Sequence, residues 1–354
     1  MGKQVKTPRF YVDMPTFLHA TGQLGWDDYY GGAELLYMNC ANPYINDTQS
    51  NFTFAIGHPN QNTPKTSFPI NFCALLNHNL ASDSNTFTTL SYKGLIQNDG
   101  QNQRLERMIG YKNILNSTIQ NNDPDYNGTS IWTFDEITDY WRGFGVYYPS
   151  ELTPGGFAHQ LGSFIVGKYF DCPNSPDLNL TMSRRFDGIK SQKTIGGKTL
   201  SNIYYDGPTE WTMNHPYDGV YKYPPFELDT TGTDFDQKVK SGLGRKGLRS
   251  WKLSFSYIAE SDMWIDHEVS NNVISDSETP DVTKPSPMLS DNSFNFVWNC
   301  TLGGTLPFIF QPDNSEDGRN PDQFAICTFR ENTFSVQQQA HNVYKVSMTI
   351  DELA

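Results

Sequence analysis

The sequence predicts an all-β protein of sandwich or jelly-roll type. Aromatic residues make up 14% of its 354 residues and charged residues only 18%, below the quarter usual for globular domains. Gly and Pro, 28 and 21 in number, are spread along the chain and punctuate it with turns. Between those turns the apolar residues recur mainly at period two, the spacing of a strand with one buried face. Long amphipathic helices would need more Glu, Lys, Ala and Leu. A chain of this length accommodates about two domains, with enough residues for one or two cores.

The elements follow in order. In TPRFYVDMPTFL the residues Phe10, Val12 and Met14 alternate, so the chain opens with a strand that docks elsewhere. Trp26 begins a turn-like Asp-Asp-Tyr-Tyr-Gly-Gly stretch. Short runs then stand between Asn, Asp, Gly and Pro clusters. They are Tyr37–Asn39, Phe52–Ile56, Ile70–Leu76, Thr86–Tyr92, Ser130–Trp132, Gly143–Tyr148 and Ser163–Tyr169, spaced as in a sandwich or jelly roll. Leu105, Met108 and Ile109 outline one short helical face.

Residues 171–245 are loop-rich. Leu178, Leu180 and Met182 alternate, and Ser191–Ile195, Gly196-Gly197 and Thr199–Tyr204 read as a hairpin. Beyond them, Trp251, Leu253, Phe255 and Tyr257 alternate with polar residues as a half-buried strand. Phe294, Val297, Trp298 and Leu302 fall at helical spacing between a Ser and a Gly pair, which predicts a capped helix over about 292–302. That face is expected to pack on the sheet through Trp251, Phe255 and Phe308. Strands at PFIF and QFAICTF follow, and in the last run Tyr344, Val346, Met348 and Ile350 alternate.

Several function classes are disfavoured. The net charge of −13 argues against sequence-specific nucleic-acid binding, because phosphate contacts need clustered Lys and Arg. The longest basic cluster, Gly244-Arg245-Lys246-Gly247-Leu248-Arg249, is short and reads as a solvated loop. Cys40, Cys73, Cys172, Cys300 and Cys327 stand alone, without zinc-site spacing, and read as reduced thiols of a protein assembled in a cytoplasm. The N-terminus lacks the apolar stretch of a signal peptide, and no run approaches 18 apolar residues, so membrane insertion is not expected.

Candidate chemistry is thin. His78 sits in an Asn-His-Asn turn after an apolar run, with no second His at chelating spacing, and reads as a turn residue closing a core strand. Asp123-Pro-Asp-Tyr-Asn-Gly128 opens like a calcium loop, but Phe134 stands where the bidentate Glu belongs. Gly242–Gly247 matches a dinucleotide fingerprint but precedes a strand instead of following one. Asp262, Asp266, His267 and Glu268 offer acid–base groups, yet an acidic chain places such groups in loops freely. No metal, no cofactor and no enzymatic activity are expected.

Two blocks resemble virion proteins of tailed bacteriophages. INFCALLNHNL, with DYWRGFGVYYP and GSFIVGKYFDCPNSPDLNL downstream, resembles the discoidin-like jelly rolls of phage structural proteins. In those an apolar strand ends in a His-Asn-Leu turn and a later strand ends before a Pro-rich exit. RSWKLSFSYI, FNFVWNCTLGGTLPFIFQPDNSEDGRNPDQFAIC and VYKVSMTI resemble the end of marine-phage tail proteins related to distal-tail and baseplate-hub components. The resemblance implies a docking segment over 1–35 and a discoidin-like jelly roll over 36–172. It implies a distal-tail-like β-sandwich with a short helix and loop-rich insertions over 173–354.

It further implies a structural subunit of the virion tail that forms a ring with itself, usually a hexamer, around the DNA conduit. The implied partners are tail tube, hub, and fibres or receptor-binding proteins. His78, Trp251, Phe255, Trp298 and Phe308 take structural or interface roles in that reading. The alternative is a virion-borne carbohydrate-binding module for host attachment, with Trp26, Tyr140, Trp141 and Tyr148 at loop tips against a host-surface glycan. A glycan-cleaving enzyme using Asp262, Asp266 and Glu268 is a third reading. A DNA conduit should not grip DNA, so Arg245, Lys246 and Arg249 are expected to face solvent or a neighbouring subunit's acids. The Gln311–Asp322 loop is expected to supply carboxylates to the lumen.

Overall fold

The computed structural model describes residues 5–21, 35–38, 44–46, 52–57, 69–76, 90–94, 111–113, 120–121, 129–137, 141–148, 159–185, 189–203, 248–264, 292–315 and 324–353. The protein is all-β, with antiparallel strands and three short helices among those residues. The chain starts with β1 (Arg9–Asp13) and α1 (Met14–Ala20). Then come β2 (Tyr44–Asn46), β3 (Phe52–Gly57), β4 (Ile70–Leu76), β5 (Leu90–Gly94) and β6 (Tyr111–Asn113). β7 (Gln120–Asn121), β8 (Thr129–Ile137), β9 (Trp141–Tyr148), β10 (His159–Leu161) and β11 (Ser163–Asp171) follow. The rest holds β12 (Thr181–Arg185), β13 (Ile189–Lys193), β14 (Thr199–Ile203), β15 (Leu248–Ala259) and α2 (Glu260–Met263). Last are α3 (Phe294–Cys300), β16 (Phe308–Gln311), β17 (Ala325–Phe329), β18 (Val336–Ala340) and β19 (Val343–Glu352).

One sheet of eleven strands runs β12-β15-β19-β17-β16-β1-β11-β4-β8-β7. β18 lies end to end with β17 along the flank of β19 that β15 leaves open. The strands from 173–354 are contiguous in this order, those from 36–172 are contiguous, and β1 joins them. Phe10 pairs with Phe170 on one side and Phe310 on the other. A second sheet runs β3-β9-β5-β6. Taken together, β1-β11-β4-β8 and β3-β9-β5-β6 have the strand order of an eight-stranded jelly roll, the chain changing sheets at each step except at β5–β6. The first strand of that order, β1, belongs to the N-terminal segment and also pairs with β16.

The central strands are buried on both faces. Phe10, Val12, Cys73, Leu75, Phe164 and Val166 point into the larger core. Tyr11, Phe72, Ala74, Leu76, Ile165 and Ile309 point into a second cluster. This explains why Ile70–Leu76 is apolar apart from Asn71: a strand covered on both sides needs no polar face, and Asn71 Oδ1 accepts from the Tyr169 N–H at 2.8 Å. β15 keeps the expected alternation at Trp251, Leu253 and Phe255, then departs from it. A bulge between Phe255 and Ile258 shifts the register, so Ile258 turns inward and Tyr257, expected inside, is 79% exposed.

α3 closes the larger core. Ser293 caps it by accepting from the Phe296 N–H at 3.2 Å. Phe294 meets Phe170 and Phe255 at ring distances of 4.9 and 5.3 Å, and Trp298 stacks on Phe329 at 4.2 Å. The predicted face extends one residue too far. Leu302 is 40% exposed and left-handed at φ 51°, because the helix ends in paired backbone hydrogen bonds, Leu302 N–H to Asn299 and Gly303 N–H to Trp298. Gly304 follows at φ 85°, where a Cβ would lie 2.5 Å from Phe329 Cβ, so only glycine fits. The strand expected at Tyr37–Asn39 does not form at Tyr37 and Met38. Both have left-handed backbone, φ 60° and 52°, and the Tyr37 N–H donates to Thr16 Oγ1 at 3.1 Å, which ties the turn to α1.

The junction of β1 and α1 contains a buried acid. Asp13 Oδ2 accepts from Thr16 Oγ1 at 2.5 Å, while Oδ1 has no hydrogen-bond partner among the described residues. Burial pushes the Asp13 carboxyl up to about 7, against the opposing Thr16 hydrogen bonds. An unfolded Asp titrates near ~3.9, so the fold binds this proton more tightly than the unfolded chain does. The resulting stability is complete below about pH 4 and is lost as pH rises through 7. Asp13→Asn should remove that loss, on the order of 4 kcal/mol, and raise the melting temperature at pH 8 relative to wild type. Parallel melting curves from pH 4 to 8 check it; identical pH slopes in the two proteins would refute the assignment.

Candidate assembly surface

The structure turns several expected site residues inward. Trp251, Phe255 and Phe308 are essentially inaccessible and Trp298 is 8% exposed, so they brace the sheet from within one chain and present nothing to a neighbour. Trp141 and Tyr148 stand near opposite ends of β9, which the structure describes through its backbone. Trp26, His78, Tyr140, Arg245, Lys246, Asp266, His267 and Glu268 lie outside the described residues. So do the Leu105–Ile109 face, Asp123–Gly128, Gly242–Gly247 and most of the acidic loop after Ser315. Asp262 is half-buried on α2. Among the described residues no three His, Cys, Asp or Glu gather as metal ligands, and no helix is long and apolar enough to cross a membrane. Cys73, Cys172, Cys300 and Cys327 are buried thiols. Burial pushes them up and away from thiolate chemistry.

Arg249 corrects an expectation. Instead of facing solvent or a neighbouring subunit, it forms an ion pair within its own chain. β15 and β19 pair Ser250 with Asp351, which sets Arg249 beside Glu352. The guanidinium donates to both Glu352 oxygens at 2.6 and 2.9 Å and to the Phe324 carbonyl at 2.7 Å. It also lies 5.1 Å from the Trp251 ring centre. A similar lock holds β1. Arg9 donates to Asp171 at 2.6 and 2.8 Å and covers the Tyr169 ring at 4.0 Å, while Asn314 donates to the same Asp171 at 2.9 Å.

The exposed apolar side chains lie elsewhere. After β11 the chain crosses to the outer edge of β15. There the Asp177 N–H donates to the Ser254 carbonyl at 2.7 Å, and Asn174 Nδ2 to the Tyr257 carbonyl at 3.0 Å. It then forms β12, the last strand at that end of the sheet among the described residues. Along this edge Leu178 is fully exposed, Met182 is 38% exposed and Tyr257 juts out at the bulge. The next element is the β13–β14 hairpin, in register from Ile189↔Ile203 to Lys193↔Thr199. Every residue from 191 to 201 is exposed, with Ile195 and Leu200 among them. Sequence pattern located the hairpin and the alternation of Leu178 and Met182. It carried no sign of which partner, if any, covers them.

The arrangement is that of a β-sandwich-like protein whose surface features are a sheet edge and a projecting hairpin, with no gathered reactive groups among the described residues. The chain matches no family model, no curated protein and no solved structure.

Proposed function

We propose that this chain is a structural subunit of a bacteriophage tail, a ring-forming distal-tail, baseplate or adaptor protein that holds fibres or receptor-binding proteins around the DNA conduit. The observation that supports this reading best is the sheet edge at β12, with Leu178, Met182 and Tyr257 exposed beside it. A sheet edge with exposed apolar side chains beside it is a pairing hazard for a lone molecule and an asset for a subunit. The edge at β7 is the other end of the same sheet, so the two ends differ. Unlike faces suit the head-to-tail contacts that close rings. The resemblance of both sequence blocks to tail proteins points the same way, and the charge of −13 suits a conduit that releases DNA.

Sedimentation velocity and negative-stain electron microscopy of the purified protein test it. Closed rings, six-fold in the expected case, are the predicted outcome, with labelled protein located at the distal end of the tail in intact particles. A chain that stays monomeric at high concentration and is missing from particles would end the proposal.

A further inference from the structure

We infer that the β13–β14 hairpin is an arm that docks on the acidic surface of a second copy of this chain. This rests on the ring reading above and names the contact that would build the ring. Residues 189–203 hold Lys190, Lys193 and Lys198 and no Asp or Glu, a charge of +3. The whole chain carries −13, so the remainder carries −13 − 3 = −16. The most acids uninterrupted by Lys or Arg lie in the sequence stretch 260–281, with Glu260, Asp262, Asp266, Glu268, Asp276, Glu278 and Asp281, of which the structure describes Glu260 and Asp262 on α2. A basic arm on an acidic body has its electrostatic complement on every other copy, and opposite potentials steer and orient such contacts.

The hairpin's own physics supports a partner. A two-stranded hairpin alone is marginal in water, and here both Lys193 and Lys198 are exposed together with Ile195 and Leu200. The arm is nevertheless well formed. Thr194 and Lys198 close a three-residue loop through N–H donation from Thr194 to the Lys198 carbonyl at 2.8 Å and from Lys198 to Thr194 Oγ1 at 3.1 Å. Gly197 supplies the left-handed position, φ 79°. Ser191 and Ser201 hydrogen-bond across the strands at 3.0 Å. The result is a shaped element with an apolar tip at Ile195 and flanking ammonium groups, so a contact would bury the tip inside a charged rim.

The test compares wild type with Lys190→Glu/Lys193→Glu/Lys198→Glu and, separately, Ile195→Asp, by sedimentation velocity at low and moderate salt. Residues 191–201 are all exposed, so Ile195→Asp should keep the wild-type circular dichroism and melting temperature, and the same two measurements on the triple variant establish that its fold is intact. The inference expects wild-type association to weaken as salt rises and the triple variant to associate at least about tenfold more weakly. Wild-type rings with equally strong rings in both variants would overturn the arm and leave the ring reading standing. A monomeric wild type would overturn both. Retarded duplex DNA that the triple variant releases, with its rings unchanged, would assign the arm to nucleic acid and overturn the inference.

Discussion

Trp298→Ala should destabilise the protein by about 3–5 kcal/mol, the range for removing a large aromatic from a core. Trp298 stacks on Phe329 at 4.2 Å and lies 5.1 Å from Phe334. Phe329 in turn meets Phe308 at 4.7 Å and Phe10 at 6.0 Å. The ring therefore links α3 to β17, β16 and β1. The surroundings have little freedom to collapse into the gap, because the Gly304 backbone passes too close to Phe329 for a Cβ to fit between them and the cap at Ser293 fixes the start of α3. Denaturant unfolding of wild type, Trp298→Phe and Trp298→Ala measures the effect, with the Phe variant between the other two. An Ala variant within about 1 kcal/mol of wild type would contradict this packing.

Arg249→Ala should cost a similar amount, about 3–5 kcal/mol, through a different mechanism. The Arg249 side chain is 11% exposed and that of Glu352 only 4%. Removing the cation leaves a buried carboxylate without its charge partner, which is far worse than never having had the pair. Arg249→Met/Glu352→Met should recover most of the loss, since an apolar pair of similar size needs no counter-charge. A double-mutant cycle gives the coupling. Single variants that each cost under about 1 kcal/mol, the range of surface ion pairs, would show that the pair is solvated. The residues lie at the start of β15 and the end of β19, so the melting of the sheet's β12–β15–β19 end should be the first event in either single variant.

Much of the fold was legible along the chain. Ile70–Leu76 reads as a fully buried strand because seven consecutive positions hold no charge. Val346, Met348 and Ile350 read as an inward face because polar residues separate them. Ser293 and the Gly303-Gly304 pair bracket α3 because capping is local chemistry. The candidate surface was less legible. Exposure of Leu178, Ile195 and Leu200 is not a property of those residues but of what the rest of the chain leaves uncovered. Tyr257 continues the alternation of Trp251, Leu253 and Phe255, and only the bulge, invisible in the pattern, turns it to solvent.

What the sequence by itself determined is the local alphabet: strand periodicity, turn and cap positions, acidic charge, and the concentration of three lysines without acids in one hairpin. These depend on interactions within a few residues, or on composition alone. What only the tertiary structure decided is adjacency. β1, the first of the described strands, lies between β11 and β16, and Asp13 is buried at that joint. Arg249, placed in a basic cluster by its neighbours in sequence, belongs to Glu352, 103 positions away. Strand pairing joins segments whose separation along the chain leaves no mark in either one, because backbone hydrogen bonds are the same for every residue. The choice among them is made by which faces can be buried together.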